Sequence, residues 1–196
     1  MITIIDSGGS NISSIQFAFQ RLGVECQLSH DAEIIRQSSH LILPGVSSAN
    51  YAMNKLREYS LIHLIRELTQ PVLGICLGMQ IFFDFSEEGN VDCLGIIPGK
   101  VRKLSADNVI VPHMGWNTIN IIKPDPLMKN IDTHSHVYFV HSYAAPVCNE
   151  TTSITSHGSD FSASTRYKNF YGTQFHPEKS GRIGARILRN FLDITE

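Results

Sequence analysis

The sequence predicts one α/β domain built on a mostly parallel central sheet flanked by helices, and three observations carry that reading. Short apolar runs in the first half, such as Ile2 to Ile5 and Val72 to Ile75, alternate with segments of helical period, the pattern of successive βαβ units. The 196 residues suit one domain better than two. A hydrophobic fraction of 42% can bury a core of that size without disulfide staples.

Taken in order, Ile2 to Ile5 reads as a buried strand ended by Asp6-Ser7-Gly8-Gly9-Ser10. From Asn11 the period changes, with Ile12, Ile15, Phe19 and Leu22 on one helical face and Gly23 as the stop. Leu41 to Leu43 is a second strand halted by Pro44-Gly45, and helical segments follow over Ala49 to Glu58 and Leu61 to Leu68. Val72 to Ile75 is another buried strand, entered after Pro71, and a helix over Leu77 to Phe85 is predicted directly behind it. Between Gly95 and Ile122 the pattern becomes short strands punctuated by Gly, Pro and Asn, which reads as a smaller antiparallel sheet. Val137 to Val140, Thr151 to Thr155 and Phe170 to Gln174 are further strands. Ile183, Ile187 and Phe191 recur every four residues in a closing helix from Ser180. No repeat, low-complexity tract or linker divides the chain.

Charge and cysteine usage narrow the function classes. A net charge of −2 and a pI near 6.5 give no basis for broad nucleic-acid or membrane-surface binding. Cys26, Cys76, Cys93 and Cys148 form no C-x-x-C pair, so neither a zinc ribbon nor a redox dithiol is expected. His134-x-His136 has no nearby carboxylate or Cys to complete a metal set, and no cofactor or metal is expected. With no signal-like N-terminus and no span-length apolar run, the expectation is a protein of a reducing cytoplasm.

The sharpest local feature is Gly74-Ile75-Cys76-Leu77-Gly78, set where a strand meets a helix. It is the cysteine counterpart of the G-x-S-x-G nucleophile elbow, whose glycines permit a turn too tight for larger side chains. A thiol there projects from the carboxyl end of the sheet, and the positive end of the helix dipole favours its thiolate. The N–H of Leu77 is placed to donate to a developing oxyanion. A lone thiol is more often a core residue, which is the reading for Cys26, Cys93 and Cys148. A nucleophilic thiol needs a base and the base an orienting group, and Gln174-Phe175-His176-Pro177-Glu178 supplies both across a rigid proline. Alone, that stretch is equally a surface turn with a solvated His and Glu. Paired with the elbow, it reads as the base and its partner.

Pro71-Val72-Leu73-Gly74-Ile75-Cys76-Leu77-Gly78-Met79-Gln80 and Gly172-Thr173-Gln174-Phe175-His176-Pro177-Glu178 resemble the class I (triad) glutamine amidotransferases over essentially the whole chain. The resemblance implies a flavodoxin-like fold and a glutaminase reaction in which Cys76 attacks the carboxamide, His176 protonates the departing ammonia and water hydrolyses the thioester. Pro112-His113-Met114-Gly115-Trp116-Asn117, Tyr138-Phe139-Val140-His141-Ser142-Tyr143 and Leu43-Pro44-Gly45-Val46 are similar to the glutaminase subunits of imidazole glycerol phosphate synthases. That likeness implies oxyanion donors from Gly45, Val46 and Leu77, and glutamine-binding roles for Gln80, Glu88, Ser142 and Tyr143. It also implies contacts of Asn11, Trp116 and Lys179 with a cyclase subunit, in a heterodimer of histidine biosynthesis that channels ammonia. Trp116 is otherwise a core aromatic, and Arg182, Arg186 and Arg189 are an ordinary wet helix face.

Two departures stand out. Ser47 occupies a loop position that is usually glycine, where a left-handed backbone is cheap. The turn at Asp6 lacks the aromatic residue often found after the aspartate. They keep open a paralogue that feeds ammonia to another amidating enzyme, for instance in surface-sugar synthesis. A catalytically silent regulatory subunit would be marked by loss of a triad member, and all three residues are present. A peptidase-like thiol hydrolase leaves the Pro112 to Asn117 stretch without a purpose.

Overall fold

The computed structural model describes residues 1–9, 12–45, 47–105, 107 and 109–195. Its main sheet has eight strands. Five run parallel: β1 (Ile2–Ile5), β2 (Cys26–Ser29), β3 (His40–Leu43), β4 (Val72–Ile75) and β14 (Phe170–Thr173). Three antiparallel strands extend it: β13 (Ser159–Tyr167), β12 (Thr151–His157) and β9 (Asn120–Ile121). The spatial order is β2-β1-β3-β4-β14-β13-β12-β9. β1 and β4 are buried at every position, as strands covered on both faces must be.

The predicted helices stand as α1 (Ile12–Arg21), α3 (Ala49–Glu58), α4 (Leu61–Glu67) and α6 (Gly181–Leu192). One core layer packs α3 and α4 against the sheet through Met53, Leu56, Leu64 and Ile65. The other packs α1 and α6 through Ile15, Phe19, Ile187 and Phe191. Among the described residues no helix is long and apolar enough to cross a membrane. The four cysteines are free; Cys93 is buried, whereas Cys26 and Cys148 are half-buried rather than core residues.

Several elements differ from the sequence reading. The edge strand β2 and the six-residue α2 (Ala32–Gln37), capped by Asp31, were not predicted, because neither buries a full apolar face. The helix expected over Leu77 to Phe85 ends after one turn as α5 (Leu77–Gln80), and the chain turns into β5 (Phe83–Ser86). Phe83, Asp84, Phe85 and Ser86 carry aromatic, alternating character that suits a strand, and β5 finds partners in β6 (Val91–Asp92) and β7 (Ile97–Lys103). With β11 (Tyr143–Ala144) these form a four-stranded sheet that is mixed, since β5 and β7 run parallel. β13 was missed because its buried positions are largely Ser, Thr and Ala. The Ser162 and Ser164 hydroxyls are satisfied by β12, as in the 2.6 Å Thr152–Ser164 and Ser153–Ser164 contacts. A separate antiparallel ribbon joins β8 (His113–Thr118) to β10 (His136–His141), and Trp116 lies on its β8 strand.

Candidate active site

The elbow is built by close backbone packing. Cys76 follows β4 with φ 54° and ψ −108°, a conformation L-residues rarely hold, and its N–H donates to Thr173 O at 2.7 Å. Glycine is required around it by space. A Cβ at Gly78 would lie 1.9 Å from Leu43 O, and one at Gly45 would lie 2.8 Å from Cys76 Cβ and 2.9 Å from the Leu77 nitrogen. The loop after β3 is therefore pressed onto the nucleophile turn, beside the first N–H groups of α5, which have no intrahelical acceptor.

Sheet order brings the base to the thiol. β14 lies parallel to β4 with Gly172 opposite Gly74 and Thr173 opposite Ile75, so the two chains leave the sheet side by side. Cys76 follows one strand and His176 the other, 100 residues later in the chain. The His176 N–H donates to Tyr138 O at 2.9 Å, and Pro177–Lys179 forms a 3-10 turn that returns Glu178 to the ring. His176 Nδ1 and Glu178 Oε1 are 2.8 Å apart with both side chains buried. Nε2 is thereby left to Cys76. Burial disfavours the imidazolium, but the charge and hydrogen bond offered by Cys76, together with Glu178, outweigh it and raise His176 to about 10. Glu178 Oε2 has no hydrogen-bond partner among the described residues.

The remaining predicted residues fall into separate places. Gln80 is buried, and its Nε2 donates to Tyr143 O at 2.7 Å and to Gln174 Oε1 at 2.9 Å. Glu88 lies elsewhere, accepting from the Ala49 N–H at 2.8 Å at the start of α3, and burial raises its carboxyl above the usual range. Ser142 O accepts from the Leu104 N–H. Trp116 is 56% exposed and meets Tyr138 edge-on at 6.1 Å, while Lys179 Nζ lies 6.0 Å over the same Tyr138 ring. Met114 and Trp116 thus form an exposed apolar face on the ribbon whose Val140 O is 3.8 Å from Cys76 Sγ. Arg182 and Arg186 are exposed, and Arg189 donates to Leu22 O. Val46 and Asn11, expected at the oxyanion hole and the partner face, lie outside the described residues. Ser47 takes φ +66°, so it holds the left-handed backbone at the steric cost a glycine would avoid.

Sequence reasoning assigned no role to Gln174, whose Nε2 is 3.6 Å from Cys76 Sγ, although the residue stands inside the quoted motif. It also passed over a buried histidine network beneath the ribbon. Asn117 Nδ2 donates to Ser156 O and faces His113 Nε2, His113 Nδ1 is 3.0 Å from His141 Nε2, and His141 Nδ1 is 2.8 Å from Tyr143 O. Backbone carbonyls at both ends only accept, so each imidazole must be neutral and donate through Nδ1. Burial, reinforced by neighbouring histidines, pushes His113 down to about 4 and His141 down to about 3.

Known proteins resemble this chain in sequence and in fold. The family model described as "Glutamine amidotransferase class-I" matches residues 3–194. A protein of Haemophilus influenzae named "Imidazole glycerol phosphate synthase subunit HisH" is 50% identical over 192 residues, covering 98% of this chain and 96% of its own. A protein of that name from Vibrio parahaemolyticus is 42% identical, covering 98% of each chain. A crystal structure of a glutamine amidotransferase shares the fold with TM-score 0.76 at 16% identity, over 98% of this chain and 97% of its own. A glutamine amidotransferase from Thermotoga maritima aligns with TM-score 0.65 at 17% identity, over 98% of this chain and 82% of its own.

Proposed function

Because the chain belongs to the class-I glutamine amidotransferase family, we propose that it is the glutaminase subunit of an imidazole glycerol phosphate synthase, acting in histidine biosynthesis in the cytoplasm. The observation that carries the chemistry is the meeting of Cys76, His176 and Glu178 at the ends of two adjacent parallel strands. Cys76 Sγ attacks the side-chain carbonyl of glutamine, forming a C–S bond and an oxyanion that the Leu77 N–H and the Gly45–Val46 loop stabilise. The His176 imidazolium protonates the amide nitrogen, the C–N bond breaks and ammonia departs. His176 then takes a proton from water, whose oxygen attacks the thioester. The C–S bond breaks, releasing glutamate and restoring the thiolate. Gln80, Glu88, Ser142 and Tyr143 are assigned to the glutamine head group; Gln80 supports that role by its link through Gln174 to Cys76. The half-buried carboxyl of Glu88 suits an ammonium partner.

Ammonia is useful to a synthase only while confined and unprotonated, so the acceptor enzyme docks at the mouth of the site. Exposed Met114, Trp116 and Lys179 surround half-buried Tyr138 on and beside the ribbon whose Val140 O meets Cys76, and this surface fits that role for a cyclase subunit in a heterodimer. The cyclase turns a phosphorylated aminoimidazole-carboxamide ribonucleotide intermediate and ammonia into imidazole glycerol phosphate and an aminoimidazole-carboxamide ribonucleotide. Docking also aligns the loop at residues 44–47, so the isolated chain turns over slowly. Glutamate release is to be measured alone and with a histidine-pathway cyclase plus its nucleotide, with Cys76→Ala as control. Strong stimulation lost on substitution is expected. Activity that needs Cys76 but ignores the cyclase would assign the chain to another amidating enzyme, and fast turnover alone would remove the loop's gating role.

A further inference from the structure

The triad leaves one buried group at the sulfur without a part in the reaction. Gln174 is fully buried at the end of β14, with its amide 3.6 Å from Cys76 Sγ. Which end of that amide faces the sulfur matters, because an N–H favours a thiolate and a carbonyl oxygen opposes one. The main chain settles the choice from a distance. Tyr143 O can only accept, so Gln80 Nε2, 2.7 Å away, donates to it. The second proton on that nitrogen goes to Gln174 Oε1 at 2.9 Å. With its oxygen held there, Gln174 can present only its NH2 to Cys76. Two amides in series thus carry the polarity of one backbone carbonyl to the nucleophile. That carbonyl is fixed twice over, by the pairing of β11 with β7 and by the hydrogen bond from His141 Nδ1.

We propose that Gln174 is a further catalytic residue, whose N–H aims and stabilises the Cys76 thiolate, and that Gln80 is the positioning residue that fixes the Gln174 amide. The inference rests on Cys76 being the glutaminase nucleophile. Val140 O also approaches the sulfur, at 3.8 Å, and accepts from the thiol while Cys76 is protonated. Transfer of that proton to His176 Nε2 ends the Val140 contact. The sulfur is then left between two N–H donors, Gln174 and the imidazolium. No group from outside the site is needed for the transfer.

The test is alkylation of the full chain by iodoacetamide between about pH 6 and 9.5, followed at the Cys76 peptide by mass spectrometry. This neutral probe needs neither glutamine nor a partner. Wild-type Cys76 is expected to react rapidly near pH 6.5, far ahead of Cys148. Gln174→Leu should slow the reaction near pH 6.5 by roughly tenfold, as for loss of one hydrogen bond to a charged group, and leave the rate at the alkaline limit almost unchanged. Gln80→Met, which leaves Gln174 in place but frees its amide to rotate, should shift the profile in the same direction by a smaller factor. If Gln174→Leu fails to fold, Gln80→Met decides alone. Folded variants with the wild-type pH profile would overturn the proposal, even if their glutaminase activity fell. Wild-type Cys76 reacting no faster than Cys148 near pH 6.5 would overturn the nucleophile assignment and this inference together.

Discussion

Two imidazole environments beneath the β8–β10 ribbon are buried to almost the same degree and are charged in opposite senses. His176 is 5% exposed, and Cys76 and Glu178 hold it protonated up to about 10. His113 and His141 are 4% and 6% exposed, and they stay neutral down to about 4 and 3. Burial alone acts against charge at all three rings. What differs is the company: His176 has an acidic group at each nitrogen, whereas the other two meet carbonyls, an amide, one another and the His157 ring stacked on His113. One environment is built to hold a transferable proton. The other is built to hold a strand against the nucleophile with fixed hydrogen-bond polarity.

The largest expected effect breaks the charged environment. His176→Ala should lower the rate of glutamate release roughly 10²- to 10⁴-fold, the range of a lost general acid and base, in an assay with partner present. Next is Glu178→Gln, which keeps the shape but removes the charge. It should cost roughly 10- to 100-fold in rate, and the His176 ring should titrate at lower pH by NMR. An unchanged titration would show that Cys76 alone supports the imidazolium.

Altering the neutral environment should act on stability instead. His141→Leu strips a donor from Tyr143 O and an acceptor from His113, and should lower unfolding free energy by about 1–3 kcal/mol in urea denaturation. The two environments also predict opposite pH slopes. His113 and His141 bind protons less readily folded than unfolded, so stability is lost as pH falls from about 6.5 through about 4 and 3. His176 binds its proton more readily when folded, so its contribution is complete below about 6.5 and is lost as pH rises through about 10. His113→Phe should flatten the acid limb of a melting-temperature profile and leave the alkaline limb alone.

The smallest effect on the fold comes from the ribbon's outer face. Trp116→Ala should change the stability of the isolated chain by no more than about 0.5 kcal/mol. Cyclase affinity, measured by calorimetry, should weaken by about tenfold or more. Equal loss in both measurements would make Trp116 a packing residue of the ribbon.

Much of the site could be read from the sequence because its signals are local. Gly74, Gly78 and Gly45 mark a turn where backbones nearly touch, and His176-Pro177-Glu178 sets base and carboxylate at a spacing a rigid turn can close. The helix over Leu77 to Phe85 was misread because apolar runs of that length fit either period. Only pairing with β6 and β7 decides for a strand. β13 hid behind Ser162 and Ser164, whose burial depends on a neighbouring strand's hydroxyls.

The sequence by itself determined the parallel core, the elbow cysteine, the His–Glu pair and the family, since each rests on residue types at short, fixed spacing. Tertiary structure alone decided that β14 enters beside β4 and so delivers His176 to Cys76. It alone set the direction of every hydrogen bond from Tyr143 O to the sulfur. Those features join residues tens of positions apart, and the orientation of a buried amide or imidazole is fixed by its partners rather than by its place in the chain.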